Sequence, residues 1–352
     1  MTGSGHRDQP PVANSSPDAT PPQPRQDEPF DPNLWSGRVD PSGRRYFQVV
    51  QPWAGSQDQT HSGSPGPRIV VAGFACDEGV RRNQGRPGAR LGPDSLRRQL
   101  AKLPYRVGAD FFDAGNTFCD DGDLEGATAR FASRLNSLVA DPGTFPVILG
   151  GGHEVAWATY KGIAPGCRKS GQRLGIINFD AHFDLRDRVN GQGHSGSAFL
   201  QIAEDAAALG ETFRYLVLGI QPLANHDQLF ERARALGVDW VDADALASSE
   251  TLSTLTRFAA SVDTIMLTLC LDVFHQSVAP GVSAPQPLGV FPAAVAPLLR
   301  ALATNPKLRV LEIAELAPPL DGPRDSHGVS GHDTARLAAS LLATLLNARF
   351  PV

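Results

Sequence analysis

The stretch from Asn178 to Arg186 could bind a divalent metal ion, because it places Asp180, His182 and Asp184 within five positions. It follows an apolar run whose β-branched residues predict a short buried strand that ends where the charges begin. Asp180 and His182 are two apart, so they can project to one face of an extended segment, and Asp184 can return after a turn. Carboxylates and imidazoles suit Mn²⁺, Zn²⁺ or Co²⁺. A polar strand end that leads into a surface loop explains an isolated motif of this kind equally well.

Two further clusters follow apolar runs that predict strands. The run 145–149 leads into three glycines, which allow a tight turn, and then into His153. The run 264–272 alternates so that Cys270 and Asp272 share one face. Each cluster also has a structural explanation, as a capping histidine or as a buried cysteine beside a capping aspartate. Ligands of an open parallel sheet bind beyond the carboxyl ends of its strands, so three such clusters together predict one metal site.

The elements that must position these clusters alternate between strand and helix along most of the chain. Apolar runs predict strands over 68–75, 105–113, 145–149, 174–179, 213–220, 238–241, 264–272 and 308–313. Helical spacing predicts helices over 93–103, 126–140, 225–236, 245–259, 292–303 and 333–347. This alternation predicts an α/β fold with a parallel sheet of about eight strands covered on both faces.

Composition limits the class of protein and the number of domains. Residues 1–28 are rich in Pro, Ser, Gln and Gly, which predicts a disordered tail, and 29–352 is expected to form a single catalytic domain. Aromatic residues between 30 and 53 suggest a segment that wraps the domain without a regular element. The longest apolar run, 265–273, is too short to span a bilayer.

Charge and cysteine content point to small-molecule chemistry. The formal charge of −5 and the pI near 6.0 predict no nucleic acid partner and no membrane partner. Four cysteines without Cys-x-x-Cys spacing predict neither a disulfide framework nor a zinc ribbon, so we expect a cytoplasmic protein that acts on a small molecule.

Several ordered motifs resemble the ureohydrolase family, which includes arginase, agmatinase, guanidinobutyrase and formimidoylglutamase. The matching blocks are 150–154, 180–184, the strand that leads to Asp272 with 279–285 after it, and 315–321. Within the family, the segments 35–40, 79–89 and 279–285 look most like formimidoylglutamase. The resemblance implies a three-layer α/β/α fold around an eight-stranded parallel sheet. It also leaves a homo-oligomer open, because family members form monomers, trimers or hexamers.

The resemblance further implies two Mn²⁺ ions at the strand ends, bridged by Asp180. Carried over by position, one ion would be held by His153, Asp180, Asp184 and residue 270, and the other by Asp180, His182, residue 270 and Asp272. The family has aspartate where this chain has Cys270. A thiolate is a softer ligand that favours Zn²⁺ or iron, so the second ion is expected to bind weakly or the preferred metal to differ.

The expected reaction is hydrolysis of N-formimidoyl-L-glutamate to glutamate and formamide, as in histidine breakdown. Asp184 would move a proton to the departing nitrogen, and Glu315 would orient the cationic amidine. Arginine clamps carboxylates well, so Arg82 and Arg186, with Asn83, are expected to bind the two carboxylates of the substrate. Two alternatives stay open: hydrolysis of another guanidino acid such as guanidinobutyrate, which releases urea, and a metal-poor, non-catalytic relative.

His194 lies in a segment that departs from the formimidoylglutamase pattern. Loop histidines are usually exposed, so we expect an exposed side chain. The alternative is a proton shuttle close to the site.

Overall fold

Strands and helices alternate in the residues that the computed structural model describes, which are 27–55, 66–322 and 332–352. The strands are β1 (Gln51–Pro52), β2 (Arg68–Ala75), β3 (Asp110–Phe118), β4 (Thr144–Leu149), β5 (Leu174–Phe179), β6 (Tyr215–Ile220), β7 (Asp239–Asp242), β8 (Thr264–Cys270) and β9 (Leu308–Ala314). The α-helices are α1 (Tyr46–Val49), α2 (Glu78–Arg82), α3 (Gly92–Leu100), α4 (Leu124–Val139), α5 (Val155–Lys169), α6 (Ala198–Ala208), α7 (Asp227–Ala235), α8 (Ser249–Ser261), α9 (Pro292–Ala303) and α10 (Asp333–Arg349).

The strands form one parallel sheet in the order β1-β3-β2-β4-β9-β8-β5-β6-β7. The four central strands, β4, β9, β8 and β5, are neighbours although they are far apart in the chain. Because all of them run in the same direction, their carboxyl ends meet at one edge of the sheet, where ligands of open α/β sheets bind.

Alternating side chains bury both faces of the sheet. Ile69 and Val71 of β2 belong to one apolar core, which also includes residues of α3, α8, α9 and α10. Val70 and Ala72 belong to a second core with α4, α5 and α6. Each fully buried aliphatic side chain contributes roughly 1.5–3 kcal/mol relative to an exposed one. The predicted three-layer α/β/α arrangement is therefore confirmed.

The sheet has nine strands rather than the predicted eight. The segment expected to lack regular structure contains α1 and the short edge strand β1, which pairs with β3. Two residues cannot produce a recognisable alternation, so this strand depends on tertiary pairing. Of the predicted tail, residues 1–26 lie outside the described residues, whereas Glu28 pairs with Asn116 through two backbone hydrogen bonds.

Two other predictions were inaccurate. The second strand was expected over 105–113, but β3 begins at Asp110 and continues to Phe118. Gly115, with φ of +77°, lets β3 pass through a bulge against β2, where the sequence suggests an end. The helices α5 and α6 were not predicted; Pro165 lies within α5 and weakens its helical pattern.

A buried ion pair joins α3 to β3, and Trp35 from the chain before β2 binds to the same carboxylate. Arg97 of α3 donates two hydrogen bonds to Asp113 of β3, and both side chains are fully buried. Trp35 Nε1 donates to the same carboxylate at 2.8 Å.

Within the described residues, no helix combines the length and apolar character that crossing a bilayer requires.

Candidate metal centre

His153 reaches the carboxyl edge of the sheet through the glycine turn that follows β4. A Cβ on Gly151 would lie 1.7 Å from the carbonyl oxygen of Cys76, so only glycine fits this close approach. The imidazole is buried, and its Nδ1 lies 2.9 Å from Asp180 Oδ2 and 3.0 Å from Asp184 Oδ2. The ring of Phe199 packs edge-on against it.

The block after β5 turns back on itself, as the sequence predicts. Asp180 is fully buried and accepts hydrogen bonds from the backbone N–H of His182 at 2.7 Å and from Asn178 Nδ2 at 3.0 Å. Asp184 has φ of +50°, an unusual value for a non-glycine residue, and this turn brings its carboxylate back to His153. Strained backbone of this kind is concentrated at functional sites.

Cys270 and Asp272 come together differently from the prediction. The strand β8 ends at Cys270, and a 3₁₀ turn follows over Leu271–Val273, so strand alternation does not place Asp272. The turn nevertheless lets Cys270 Sγ donate to Asp272 Oδ1 at 3.0 Å. The other oxygen of Asp272 lies 3.1 Å from His182 Nδ1.

These groups form two sets of ligand atoms that share Asp180. His153, Asp180 and Cys270 offer one set, and Asp180, His182 and Asp272 offer the other; the atoms of each set lie within 4.8 Å of one another. Asp180 therefore stands where a bridging ligand is expected. Asp184 adds a further carboxylate beside His153.

The charges of this cluster are poorly balanced without a cation. Burial lowers the pKa of His153, but Asp180 and Asp184 outweigh it and raise that pKa well above its ordinary value. Burial, followed by the neighbouring carboxylates, raises the pKa of the Cys270 thiol well above its usual range. A divalent ion would relieve both effects, because it replaces the proton on an imidazole and favours a thiolate.

The donor set fits a divalent transition metal ion. His153 Nδ1 is buried and has no hydrogen bond of good geometry among the described residues, although two carboxylates surround it. Carboxylates with imidazoles match Mn²⁺, and Cys270 adds a ligand that suits Zn²⁺ or iron better.

Glu315 follows β9 and faces the same centre. It has φ of +66°, and its Oε1 accepts the backbone N–H of His153 at 2.9 Å. Its Oε2 is buried and has no hydrogen bond among the described residues. Burial, followed by the charges of Asp272 and Glu154, raises the pKa of this carboxyl group well above its usual range. A cationic ligand would satisfy the free oxygen.

A cavity of about 210 Å³ opens onto the cluster. The predicted residues that line it are Asn83, His153, His182, Asp184, Arg186, Cys270, Asp272 and Glu315. Among the described residues that line this cavity, Arg186 is the only lysine or arginine. Its backbone N–H donates to the carbonyl oxygen of Gly196, and Asn83 Nδ2 donates to Ser195 Oγ, so one loop holds both residues.

Arg82 does not line the cavity, contrary to its predicted contact with substrate. Its guanidinium is largely buried, at 6% exposed, and pairs with Glu78 at 2.9 Å and Glu125 at 2.7 Å. It also donates to the carbonyl oxygens of Gly122 and Gly193. Every nitrogen of this side chain is therefore engaged, and Arg82 supports the loop that carries Ser195 rather than the substrate itself.

His194 is buried rather than exposed, at 1% exposed, which corrects the prediction. Its Nε2 lies 2.9 Å from the carbonyl oxygen of Asp187, and burial lowers its pKa. It does not line the cavity. The loop it belongs to packs against α2, and this tertiary contact could not be inferred from local sequence.

Three polar contacts of the cluster were not predicted. Thr268 Oγ1 lies 3.0 Å from His153 Nε2 and donates to Glu312. Gln286 Nε2 lies 3.4 Å from His182 Nε2. The sequence could have indicated a role for Glu312, because it is a carboxylate inside the apolar run 308–313, and a buried carboxylate needs a hydrogen-bond partner.

Comparison with known proteins shows the family of this chain. The model of the arginase family matches residues 67–347. A formimidoylglutamase from Ralstonia nicotianae is 44% identical over 332 residues, which cover 91% of this chain and 97% of that protein.

Two crystal structures share the fold. That of formimidoylglutamase from Bacillus subtilis has a TM-score of 0.74 at 21% identity and covers 89% of this chain and 94% of its own. That of Trypanosoma cruzi formiminoglutamase with Mn²⁺ has a TM-score of 0.70 at 23% identity and covers 80% and 93%. The family match spans most of the sequence, and this chain therefore belongs to the arginase family.

Proposed function

We propose that this chain hydrolyses N-formimidoyl-L-glutamate to L-glutamate and formamide. The observation that carries the proposal is one cavity that contains both a cluster of acids and imidazoles and the cationic side chain of Arg186. The 44% identity to a protein named formimidoylglutamase supports the same substrate. The activity would belong to histidine degradation in the cytoplasm, where thiols such as the four free cysteines stay reduced.

We propose that the centre holds two Mn²⁺ ions, as the name of the Trypanosoma cruzi structure states for that protein. His153, Asp180, Asp184 and Cys270 would hold one ion, and Asp180, His182, Cys270 and Asp272 would hold the other. When bound, such a pair of ions supplies Lewis acidity, which activates water near neutral pH and stabilises developing negative charge.

Glu315 and Asp184 would handle the amidine and the proton. The free Oε2 of Glu315 would accept hydrogen bonds from the amidinium nitrogens and so orient the formimidoyl carbon. Water adds to this carbon, and the bond from carbon to the glutamate nitrogen breaks. Asp184 would carry the proton released by water to the departing nitrogen, which leaves as the amine of glutamate.

The two carboxylates of the substrate explain the arginine at the cavity. Arg186 would bind one of them through paired charge-assisted hydrogen bonds, and Asn83 would donate to the same end of the substrate. An uncharged or cationic tail, as in agmatine, would leave Arg186 without a partner. Binding of a substrate that carries a carboxylate is therefore favoured over binding of agmatine.

The test is turnover of four compounds by the purified protein, with Mn²⁺ and Zn²⁺ supplied separately. Formimidoylglutamate should be hydrolysed with release of formamide, whereas arginine, agmatine and guanidinobutyrate should release little urea. Preferential release of urea from guanidinobutyrate would select the guanidino acid alternative. Less than about one ion per chain after Mn²⁺ loading, with no turnover of any compound, would support a non-catalytic role.

A further inference from the structure

His153 has a second contact, which lies on the side of its ring that faces away from the carboxylates. Its Nε2 lies 3.0 Å from Thr268 Oγ1, and Thr268 Oγ1 donates to Glu312 Oε1 at 2.9 Å. The other oxygen of Glu312 accepts the hydroxyl of Thr159. Glu312 and Thr268 are fully buried, and no water can replace these partners without entering the core.

Strand register builds this contact. Thr268 of β8 and Glu312 of β9 are directly paired residues of neighbouring parallel strands, so their side chains leave the same face of the sheet side by side. Thr159 comes from α5, which covers that face. The contacts of Thr159, Glu312 and Thr268 therefore join one helix and two strands, whose positions the core packing determines.

The directions of the hydrogen bonds follow from the chemistry of the groups. A carboxylate can only accept, so both hydroxyls must donate to Glu312. The oxygen of Thr268 is then left as an acceptor, and His153 must place a proton on Nε2. Burial raises the pKa of Glu312, and the charge of His153 and the two hydroxyl donors oppose that rise.

We propose that Thr268 and Glu312 are positioning residues that hold the Nε2 proton of His153, so that Nδ1 is directed at a divalent ion. This proposal rests on the metal centre assigned under the proposed function. Ligating histidines gain basicity and a fixed orientation when their other nitrogen donates to such a partner. The relay acts on the ligand set of His153, Asp180, Asp184 and Cys270.

The test measures Mn²⁺ binding to the metal-free protein by titration calorimetry, without substrate. Thr268→Val removes the hydroxyl at nearly constant volume, and Glu312→Gln replaces an acceptor by a group that also donates. Each should weaken one of the two Mn²⁺ sites by roughly 10- to 100-fold. Thr268→Ser keeps the hydroxyl and should restore most of the affinity.

The matched control is Thr128→Val. Thr128 is equally buried, but its hydroxyl has no hydrogen-bond partner among the described residues, so its loss should leave Mn²⁺ affinity unchanged. The thermal midpoint of each metal-free variant shows whether it folds. Wild-type affinity in folded Thr268→Val and Glu312→Gln, or a failure of Thr268→Ser to recover binding, overturns the relay. Wild-type protein that binds no Mn²⁺ overturns the centre and the relay together.

Discussion

At the scale of single residues, Cys270 is the ligand at which the family resemblance leads us to expect an aspartate. The thiol is buried, its pKa is raised, and it donates to Asp272, so it is held as a neutral group in the absence of a metal ion. A neutral thiol is a poor ligand for Mn²⁺. We therefore expect Cys270 to decide which metal ion the centre prefers.

Substitution of a residue that only supports a metal ligand already changes metal affinity or activity by about tenfold. Cys270→Asp changes a ligand itself, so it should raise the affinity for Mn²⁺ and the Mn²⁺-supported kcat/KM by at least about tenfold. The new carboxylate would also lie beside Asp272, so the metal-free variant should be less stable than the wild type. Calorimetric titration and steady-state kinetics measure these effects, with Cys167→Ala as the control at another buried cysteine. An unchanged or lower rate with Mn²⁺ would mean that the thiol is an adapted ligand.

Arg186→Gln tests the carboxylate contact. Loss of a charge-assisted hydrogen bond costs about 1.5–3 kcal/mol, so KM for formimidoylglutamate should rise by roughly 10- to 100-fold while kcat changes less. Arg188→Gln is the matched control, because Arg188 lies two positions away, pairs with Glu204 and does not line the cavity. Equal KM values for the two variants would exclude Arg186 as the carboxylate partner.

At the scale of elements, the loops around the cavity are held by arginines that the sequence analysis partly assigned to substrate. Arg82 links α2 to Glu125 at the start of α4 and to Gly193, while Arg86 donates to the carbonyl oxygens of Val282 and Ser283. These contacts join three loops that follow different strands. The arginine-rich segment after β2 therefore shapes the cavity mainly by supporting other loops.

Arg82→Met should lower the free energy of unfolding by about 3 kcal/mol, because it leaves the carbonyl oxygens of Gly122 and Gly193 without this donor and leaves Glu78 with only the exposed Arg81. Arg81→Met is the matched control: Arg81 pairs with the same glutamate but is 66% exposed, so its loss should cost about 1 kcal/mol or less. Urea unfolding of the metal-free variants measures both. Equal losses would contradict the structural role assigned to Arg82.

At the scale of the whole molecule, the protonation of the centre makes the stability of the protein depend on pH. Whether a metal ion is bound decides how stability changes as the pH rises. In the metal-free protein the pKa values of His153 and His182 are raised by the surrounding carboxylates, which outweigh the opposing effect of burial. A raised folded-state pKa contributes stability that is complete below the unfolded value of about 6.5 and is lost as the pH rises through the folded value. The raised pKa of Glu315 acts in the same direction.

Protein treated with a chelator should therefore show a falling thermal midpoint as the pH rises from about 6.5 toward 9. The thermal midpoint of the protein with Mn²⁺ should exceed that of the metal-free form by an amount that increases over the same pH range. The reason is that the ligands must lose protons before they bind the ion. Differential scanning calorimetry at several pH values measures both curves. A metal-free midpoint that rises with pH would contradict the protonated state assigned to these histidines.

The local sequence was sufficient for most of the architecture. The strands β2 and β5 have the predicted bounds, and β4, β8 and β9 differ from theirs by one or two residues, because burial on both faces requires continuous apolar segments. Residues 180–184 already indicated metal chemistry, because they bring two carboxylates and an imidazole together and two further clusters follow other predicted strands.

Only the tertiary structure decided which groups meet. The position of β9 between β4 and β8 brings Glu315 to His153 and pairs Glu312 with Thr268, although no local pattern records this neighbour relation. The same packing turned Arg82 toward two glutamates and buried His194. Side-chain periodicity depends on the nearest residues in the chain, whereas ion pairs and ligand sets depend on strand order and loop packing, which the whole core determines.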